Sequence, residues 1–435
     1  MDFCPNKFSG REVVVVGGAR TPFAKAGTAL AHISAVELGV RAFQEAVEGA
    51  NIDYASIDQV VIGNVAQPHD AANIARVIAL YAGTPKSTPA FTVQRNCASG
   101  LESISQAALQ ISSGQADVVV AGGTESMSQI PLLFSEPLKA EFFGFVFAKT
   151  MAQKLAVLRK FKLADLKPIV ALESGLTDPI SGMNMGMTAE RLVRDFDISR
   201  EEQDRFALRS HERAIASRAK LKEEIAPVYI SPKFKDHVEY DLGPREGQSL
   251  EQLAKLKPYF DRRYGSVTVG NACPVTDGAA MLVLMSKEKA LAEGLPIWGT
   301  IKSVTFSGCE PSRMGLGPAF SSPMALEAAG LEMKDMQRVE VNEAFAAQVL
   351  ACLRAFESKD FASKHLGRTE AIGAVDPEIL NVNGGAIALG HPVGTSGTRL
   401  VLTLLKELER ENLNTGLATL CIGGGQGGAC VVERA

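Results

Sequence analysis

No stretch of this chain approaches the roughly eighteen consecutive apolar residues of a membrane span. Met1 to Gly10 hold no apolar core of the kind a secretory leader carries. No CxxC pair occurs, and the seven cysteines are an odd number scattered along the chain. That usage suits a reducing compartment better than a disulfide framework, so a cytoplasmic protein is expected. There is no excess of positive charge to draw nucleic acid: 45 Lys and Arg against 49 Asp and Glu leave a net charge of -4. No Gly-x-Gly-x-x-Gly opens a helix after a strand, and no paired Cys/His spacing marks a zinc site.

What remains is a globular, soluble composition, 46% hydrophobic and 22% charged over 435 residues. That length exceeds what one growing core holds, so two or three packed subdomains are expected. Forty glycines without a short period imply tight turns and close backbone approaches.

Apolar periodicity gives the elements. Val13–Val16 reads as a buried strand, 34–49 as an amphipathic helix, Val60–Ile62 as a strand and Ala71–Tyr81 as a helix. Phe91-Thr92-Val93 then leads into Asn96-Cys97-Ala98-Ser99-Gly100 and a helix from Leu101 to Ile111. Val118–Ala121 is a further strand, closed by a turn at Gly122-Gly123-Thr124-Glu125-Ser126-Met127. Strands alternating with helices imply parallel pairing in a covered sheet.

The order then repeats. Ile57–Asn64 lines up with Met336–Glu343 at an offset of 279, and Ser99-Gly100 with Ser396-Gly397 at an offset of 297. Each helix is followed by an apolar strand and a glycine turn, Val118–Gly123 and Leu417–Gly424, which points to an ancient duplication. Between the halves lies a segment of different texture, roughly 128–275. In it Ser199-Arg200-Glu201-Glu202 is a capping box for a helix to about Leu221. Over 137–170, seven bases against Glu141 and Asp165 give a local charge of +5, interleaved with Phe142, Phe143, Phe145, Phe147 and Phe161. A helix packed within an oligomer, a contact for substrate phosphates or a partner subunit, and an anionic membrane surface all fit.

Four places carry chemistry. Cys97 stands where a strand meets a helix, among unpaired N–H groups that favour a thiolate and lower the cysteine pKa. Alone it reads more readily as a buried, inert thiol. His391, in Gly390-His391-Pro392, is on a glycine-lined turn and suits a thiol's proton acceptor. Cys421 precedes Gly423-Gly424-Gly425, whose backbone N–H groups are free to face an oxyanion. Asn342 follows the strand Val339–Val341. In such sheets ligands gather at the carboxyl ends of strands. Two cysteines, a histidine and an amide suit thioester chemistry at a carbon beside a carbonyl.

These blocks, together with Gly18-Ala19-Arg20-Thr21-Pro22, Met185-Gly186-Met187-Thr188-Ala189-Glu190 and Asn342-Glu343-Ala344-Phe345, resemble the thiolase family over essentially the whole chain. The resemblance implies an α/β fold, with duplicated αβαβαββ halves in a five-layered αβαβα sandwich carrying an inserted loop domain. It places the first half at 1–127 plus 276–297, the loop domain at 128–275 and the second half at 298–435. It implies a 3-ketoacyl-CoA thiolase with no cofactor beyond the substrates coenzyme A and acyl-CoA. Alternatives are a biosynthetic acetoacetyl-CoA enzyme and a non-catalytic acyl-CoA or lipid carrier.

By the same resemblance Cys97 is the nucleophile and His391 its base, also a donor to the substrate thioester oxygen. Asn342 holds a water of that oxyanion hole, and Cys421 is the acid/base at the α-carbon of acetyl-CoA. The N–H groups of Cys97 and Gly423 form a second oxyanion hole. Met185, Phe260 and Phe345 line the pantetheine and acyl channel. Cys273 stands where the family usually has a serine that bonds pantetheine. A homodimer or homotetramer is implied. The insertion is similar to that of thiolase subunits in bacterial fatty-acid oxidation complexes, whose partner is an enoyl-CoA hydratase/3-hydroxyacyl-CoA dehydrogenase. Those subunits usually carry His-Glu-Ala-Phe where this chain has Asn342.

Overall fold

The structure, a computed structural model, describes residues 10–230 and 234–435. Residues 1–9, which include Cys4 and most of the stretch examined for a leader, lie outside them. In the first half, β1 (Val13–Arg20) is buried on both faces, as its run of valines requires. It is followed by α1 (Ala35–Gly49), opened by a capping box of Ser34 and Glu37, and β2 (Gln59–Gly63). Next comes α2 (Ile74–Ala82), which starts later than its periodicity suggested because the Asn73 side chain caps it at Arg76 N–H. β3 (Ala90–Val93), α3 (Ser99–Ser112) and β4 (Val118–Glu125) complete this part.

β4 runs through Gly122–Glu125 rather than turning there. These glycines are packing residues: a Cβ on Gly122 would lie 2.2 Å from Ala280 O, and one on Gly123 1.9 Å from Gly394 O.

The inserted segment contributes α4 (Glu136–Phe147), α5 (Met151–Leu158), α6 (Met185–Asp195) and α7 (Arg200–Ala216). The helix expected to reach Leu221 breaks at Ser217, and a separate turn, Arg218–Lys222, follows. The bend buries Leu221 and leads the chain to Glu224, whose Oε1 lies 2.6 Å from Arg20 Nε. Asp241 takes the rest of that guanidinium, tying the insertion to β1.

The chain then returns as β5 (Thr276–Ser286) and enters the second half. There it forms β6 (Gly299–Gly308), α8 (Gly317–Ala329), β7 (Arg338–Val341), α9 (Ala346–Glu357), α10 (Ser396–Arg410), β8 (Thr415–Ile422) and β9 (Gln426–Glu433).

The strands run in the order β7-β8-β9-β6-β1-β5-β4-β2-β3. Parallel pairing holds only at the outer parts, β2 with β3 and β4, and β7 with β8. The central strands β9, β6, β1 and β5 are antiparallel: β9 follows β8 through a tight turn, and β5 enters between β1 and β4 only after the long insertion. The two half-sheets meet where Val14 and Val15 of β1 pair with Thr300 and Gly299 of β6.

Three apolar cores divide the molecule into layers. One lies between α1, α2 and the outer face of the first half-sheet. The second holds α3 and α10 between both half-sheets, and the third lies under α8 and α9 against Val339, Val341, Leu417 and Val431. That is an αβαβα sandwich, with α3 and α10 in its middle. In contact between them, a Cβ on Gly100 would lie 2.6 Å from Thr398 Oγ1 and one on Gly397 2.5 Å from Leu101 N.

Candidate active site

Cys97 lies between Asn96, held in a left-handed conformation (φ 44), and the first turn of α3. The turn is locked by Ser99, whose hydroxyl accepts from Arg95 N–H (2.9 Å) and donates to Asn96 O (2.7 Å). Asn96 Nδ2–H donates to Gly423 O (2.8 Å), fastening the cysteine turn to the glycine loop after β8. The Cys97 sulfur faces the N–H groups of Gly423 and of Cys97 itself. Sequence favoured a lowered pKa. The thiol is instead raised above its ordinary value, because burial outweighs those two N–H groups and the Glu125 carboxyl adds to the rise.

Every other described cysteine is raised as well. Cys273, Cys309, Cys352 and Cys430 are pushed up to about 12 by burial, and Cys421 goes well above its ordinary value. Cys97 alone has N–H groups opposing the rise from both its own residue and a neighbouring loop, and it is half-buried where Cys421 is fully buried.

His391 is buried on the loop that opens α10. Its backbone N–H donates to Thr276 Oγ1 (3.1 Å), and its Nδ1 lies 2.5 Å from Ser396 Oγ. Ser396 gives its own proton to Pro392 O (3.0 Å), so Nδ1 carries hydrogen and donates. Nε2 is then a bare lone pair, and it is buried with no protein partner. Burial, then the charge of Arg399, hold the imidazole pKa down at about 4, so the ring is neutral near pH 7. A neutral ring with a free Nε2 lone pair can accept a proton.

Asn342 follows β7 and Cys421 is the penultimate residue of β8, two parallel strands registered at Val341 and Thr419. Asn342 N–H donates to Thr419 O (2.9 Å), while both side-chain amide atoms are buried and unpaired. An unpaired buried amide costs roughly 1–3 kcal/mol, so this one is positioned for something outside the chain's own groups. Cys421 is near enough to Cys97 and Cys273 for the three thiols to influence one another's ionisation. Gly424 (φ 86) and Gly425 (φ 79) take left-handed conformations that turn β8 into β9 directly behind Gly423.

The residues expected to line the channel group together. Met185, Phe260, Cys273, Phe345 and Cys421 share one apolar cluster. The Phe260 and Phe345 rings stand edge to face, 5.9 Å apart. A Cβ on Gly423 would touch Met185 Sδ at 3.4 Å. Cys273 N–H donates to Ala344 O (3.1 Å), fastening its loop to the segment after Asn342.

Sequence reasoning passed over the groups that hold these side chains. Ser396 was used only as a repeat marker, although it sits one helical turn beyond His391. Glu343 accepts from Ser210 Oγ (2.6 Å), Asn381 Nδ2 (2.8 Å) and Ile387 N (3.2 Å), so it links α7 to the loop before His391. Glu190 accepts from the Ser266 and Val267 N–H groups, shaping the loop that carries Cys273. Among the described residues no set of His, Cys, Asp or Glu side chains is placed to hold a metal ion.

Residues 13–288 match the family model of the thiolase N-terminal domain, and residues 295–434 that of the thiolase C-terminal domain. The chain is 40% identical over 429 residues to a 3-ketoacyl-CoA thiolase of Pseudoalteromonas translucida, covering 98% of both chains. It is 40% identical over 427 residues to one of Yersinia pestis, covering 98% of this chain and 97% of that one. Among solved structures, human mitochondrial 3-ketoacyl-CoA thiolase superposes with a TM-score of 0.85 at 36% identity, covering 98% of this chain and 99% of that one. The acetyl-CoA acetyltransferase of Bacillus anthracis does so with a TM-score of 0.85 at 37% identity, covering 98% of this chain and 100% of that one.

Proposed function

The chain belongs to the thiolase family and is an acyltransferase, and from that premise we propose how its residues cleave a 3-ketoacyl-CoA with free CoA. His391 Nε2 takes the Cys97 proton as the sulfur attacks the 3-oxo carbon. The C2–C3 bond breaks, leaving the acyl group on Cys97 as a thioester. Acetyl-CoA departs as its enolate, protonated at the α-carbon by the Cys421 thiol. Asn342, through a water, and protonated His391 donate to the thioester oxygen of that enolate. The Cys421 thiolate then takes the proton of incoming CoA, whose sulfur displaces the acyl group. The N–H groups of Cys97 and Gly423 face the oxyanion, and Cys97 recovers its proton from His391.

The observation that carries this is the bare, buried Nε2 of His391, with its tautomer set by Ser396, in a site where the Asn342 amide is also unpaired. Met185, Phe260 and Phe345 supply the apolar wall for pantetheine and acyl chain, and Cys273 a weak thiol donor where a hydroxyl would bind more strongly. Steady-state thiolysis of short-, medium- and long-chain 3-ketoacyl-CoA tests it, with turnover of more than the shortest substrate expected. Turnover of acetoacetyl-CoA alone would favour the biosynthetic, acetyl-condensing direction, which the likeness to acetyl-CoA acetyltransferase supports as a second reading.

The same proposal extends to partners. β3 ends the sheet with half-buried residues and, among the described strands, pairs only with β2, so a second copy adding antiparallel to this edge gives a homodimer. No described helix is long and apolar enough to cross a membrane. The α4–α5 hairpin nevertheless exposes Phe142 (66%), Phe147 (74%) and Met151 (72%), and Leu138 is the one buried residue of α4. A helix apolar all round belongs against something. The bases Lys149, Lys154, Arg159 and Lys160 beside it favour an anionic phospholipid surface. Changing those four to Gln should abolish salt-sensitive sedimentation with anionic vesicles and leave short-substrate turnover within a few-fold. Capture by a hydratase/dehydrogenase subunit, without vesicle binding, would reassign the hairpin to that partner. The six described cysteines are all free, in keeping with a cytoplasmic location.

A further inference from the structure

Beyond the four residues with proposed chemical roles, a buried carboxylate sits at the end of β4. Glu125 is fully buried and lies close enough to Cys97 to influence its ionisation. Its Oε1 accepts from Ala66 N–H (2.9 Å) and from Asn64 Nδ2 (3.1 Å). Its Oε2 accepts from Val65 N–H (3.1 Å) and from Gly394 N–H (2.9 Å). The first three donors belong to the loop after β2, in the first half. The fourth belongs to the second half, three residues past His391. The packing there leaves no slack: a Cβ on Gly394 would lie 2.6 Å from Glu125 Oε2, and one on Gly123 would lie 1.9 Å from Gly394 O. Burial pushes the carboxyl pKa up to about 7, against the pull of the three backbone N–H groups. A carboxyl accepting from four donors is kept at this cost where an apolar side chain would fill the space.

We propose that Glu125 is the positioning residue of the catalytic base: by gripping Gly394 N–H it holds the His391–Ser396 loop of the second half against the Cys97 side of the first. The inference rests on the assignment of Cys97 and His391 made above. It concerns where the imidazole stands, because no hydrogen bond joins Glu125 to the His391 ring. Displacing a reacting group by about 1 Å costs on the order of a hundredfold in rate.

In Glu125→Gln one oxygen becomes an NH2 group, which must face two N–H donors and repel them. The expected result is a kcat for thiolysis roughly ten- to a hundredfold lower, with KM for both substrates within about twofold. The rate constant for iodoacetamide alkylation of Cys97 should fall by a comparable factor, while the end point stays at one Cys97 alkylated per chain. A merely structural role would expose the other cysteines of unfolded molecules, lifting the end point above one alkylated cysteine per chain, and leave the Cys97 rate constant alone. That result would overturn the proposal, as would wild-type kcat and alkylation in the folded variant. Should Glu125→Gln not fold, Gly394→Ala decides from the other side of the contact: its methyl group forces the loop off Oε2, and the same fall in both rates is expected. If thiolysis is not the reaction, the alkylation measurement still reports on Glu125, so the two failures are distinguishable.

Discussion

Helices α3 and α10 begin alike and end up doing different things. Ser99 and Ser396, 297 residues apart, each close the loop before their helix with a hydroxyl that donates to a backbone carbonyl. In the first half the hydroxyl accepts from a backbone amide, Arg95 N–H; in the second it meets the His391 ring. Gly100 and Gly397 mirror each other across the contact between the helices. The same offset sets Cys97 against Gly394, Thr124 against Cys421, and Glu125 against Ile422. Under the proposed mechanism each half supplies what the other lacks: the first a nucleophile and the carboxylate that grips its partner's loop, the second a base and a second thiol. One scaffold, doubled, carries different groups at equivalent positions because those positions were filled differently.

The largest effect should come from breaking the second thiol. Cys421→Ser should still acylate from a 3-ketoacyl-CoA but exchange the α-protons of acetyl-CoA about 10²–10⁴-fold more slowly, the worth of one positioned acid/base. Its counterpart Thr124→Ser, whose hydroxyl only caps Ala35 O, should exchange at close to the wild-type rate. Equal exchange in the two variants would erase the difference drawn between the halves. Asn342→Ala should follow, with kcat down about 10²–10³-fold, as for loss of an oxyanion donor. Ser396→Ala frees the His391 tautomer and should lower kcat, whereas Ser99→Ala should chiefly lower thermal stability, by roughly 0.5–1.5 kcal/mol for one neutral hydrogen bond. Gly100→Ala and Gly397→Ala sharpen the symmetry itself: each should destabilise by about 1–3 kcal/mol, since each methyl group meets the opposite helix. A calorimetric loss in only one of them would contradict the mirrored packing.

The smallest effect is a pH dependence. Cys97 is raised and His391 lowered to about 4, so the resting pair is thiol and neutral imidazole rather than thiolate and imidazolium. Alkylation of Cys97 in the free enzyme should thus keep rising with pH above 8 instead of levelling off between 6 and 8. The folded pKa of His391 lies below its ordinary 6.5, so its contribution to stability is full above that value and is lost as pH falls towards 4. His391→Asn should flatten that part of the stability profile.

Much of this was legible in the residues. Short glycine-flanked motifs keep their local geometry, so Cys97, His391, Asn342 and Cys421 could be placed at strand and helix ends without coordinates. The duplication was legible for the same reason. What escaped depends on distant neighbours. The direction of the Cys97 pKa turns on burial, set by both halves together, which outweighs the N–H groups that sequence could foresee. Gly122 and Gly123 continue β4 because Ala280 and Gly394 leave no room for side chains, a fact no local propensity carries. The antiparallel centre of the sheet arises where β5 returns from the insertion between β1 and β4. Glu125 gave no signal because its donors lie about 60 and 269 residues away.

The most direct test of the whole account is to trap the covalent intermediate. The enzyme is mixed with a 3-ketoacyl-CoA in the absence of free CoA, quenched in acid and digested for peptide mass spectrometry. The acyl mass should appear on the peptide carrying Cys97 and be removed by added CoA. An acyl adduct on Cys421 or Cys273 instead, or thiolysis with no adduct on Cys97, would contradict it.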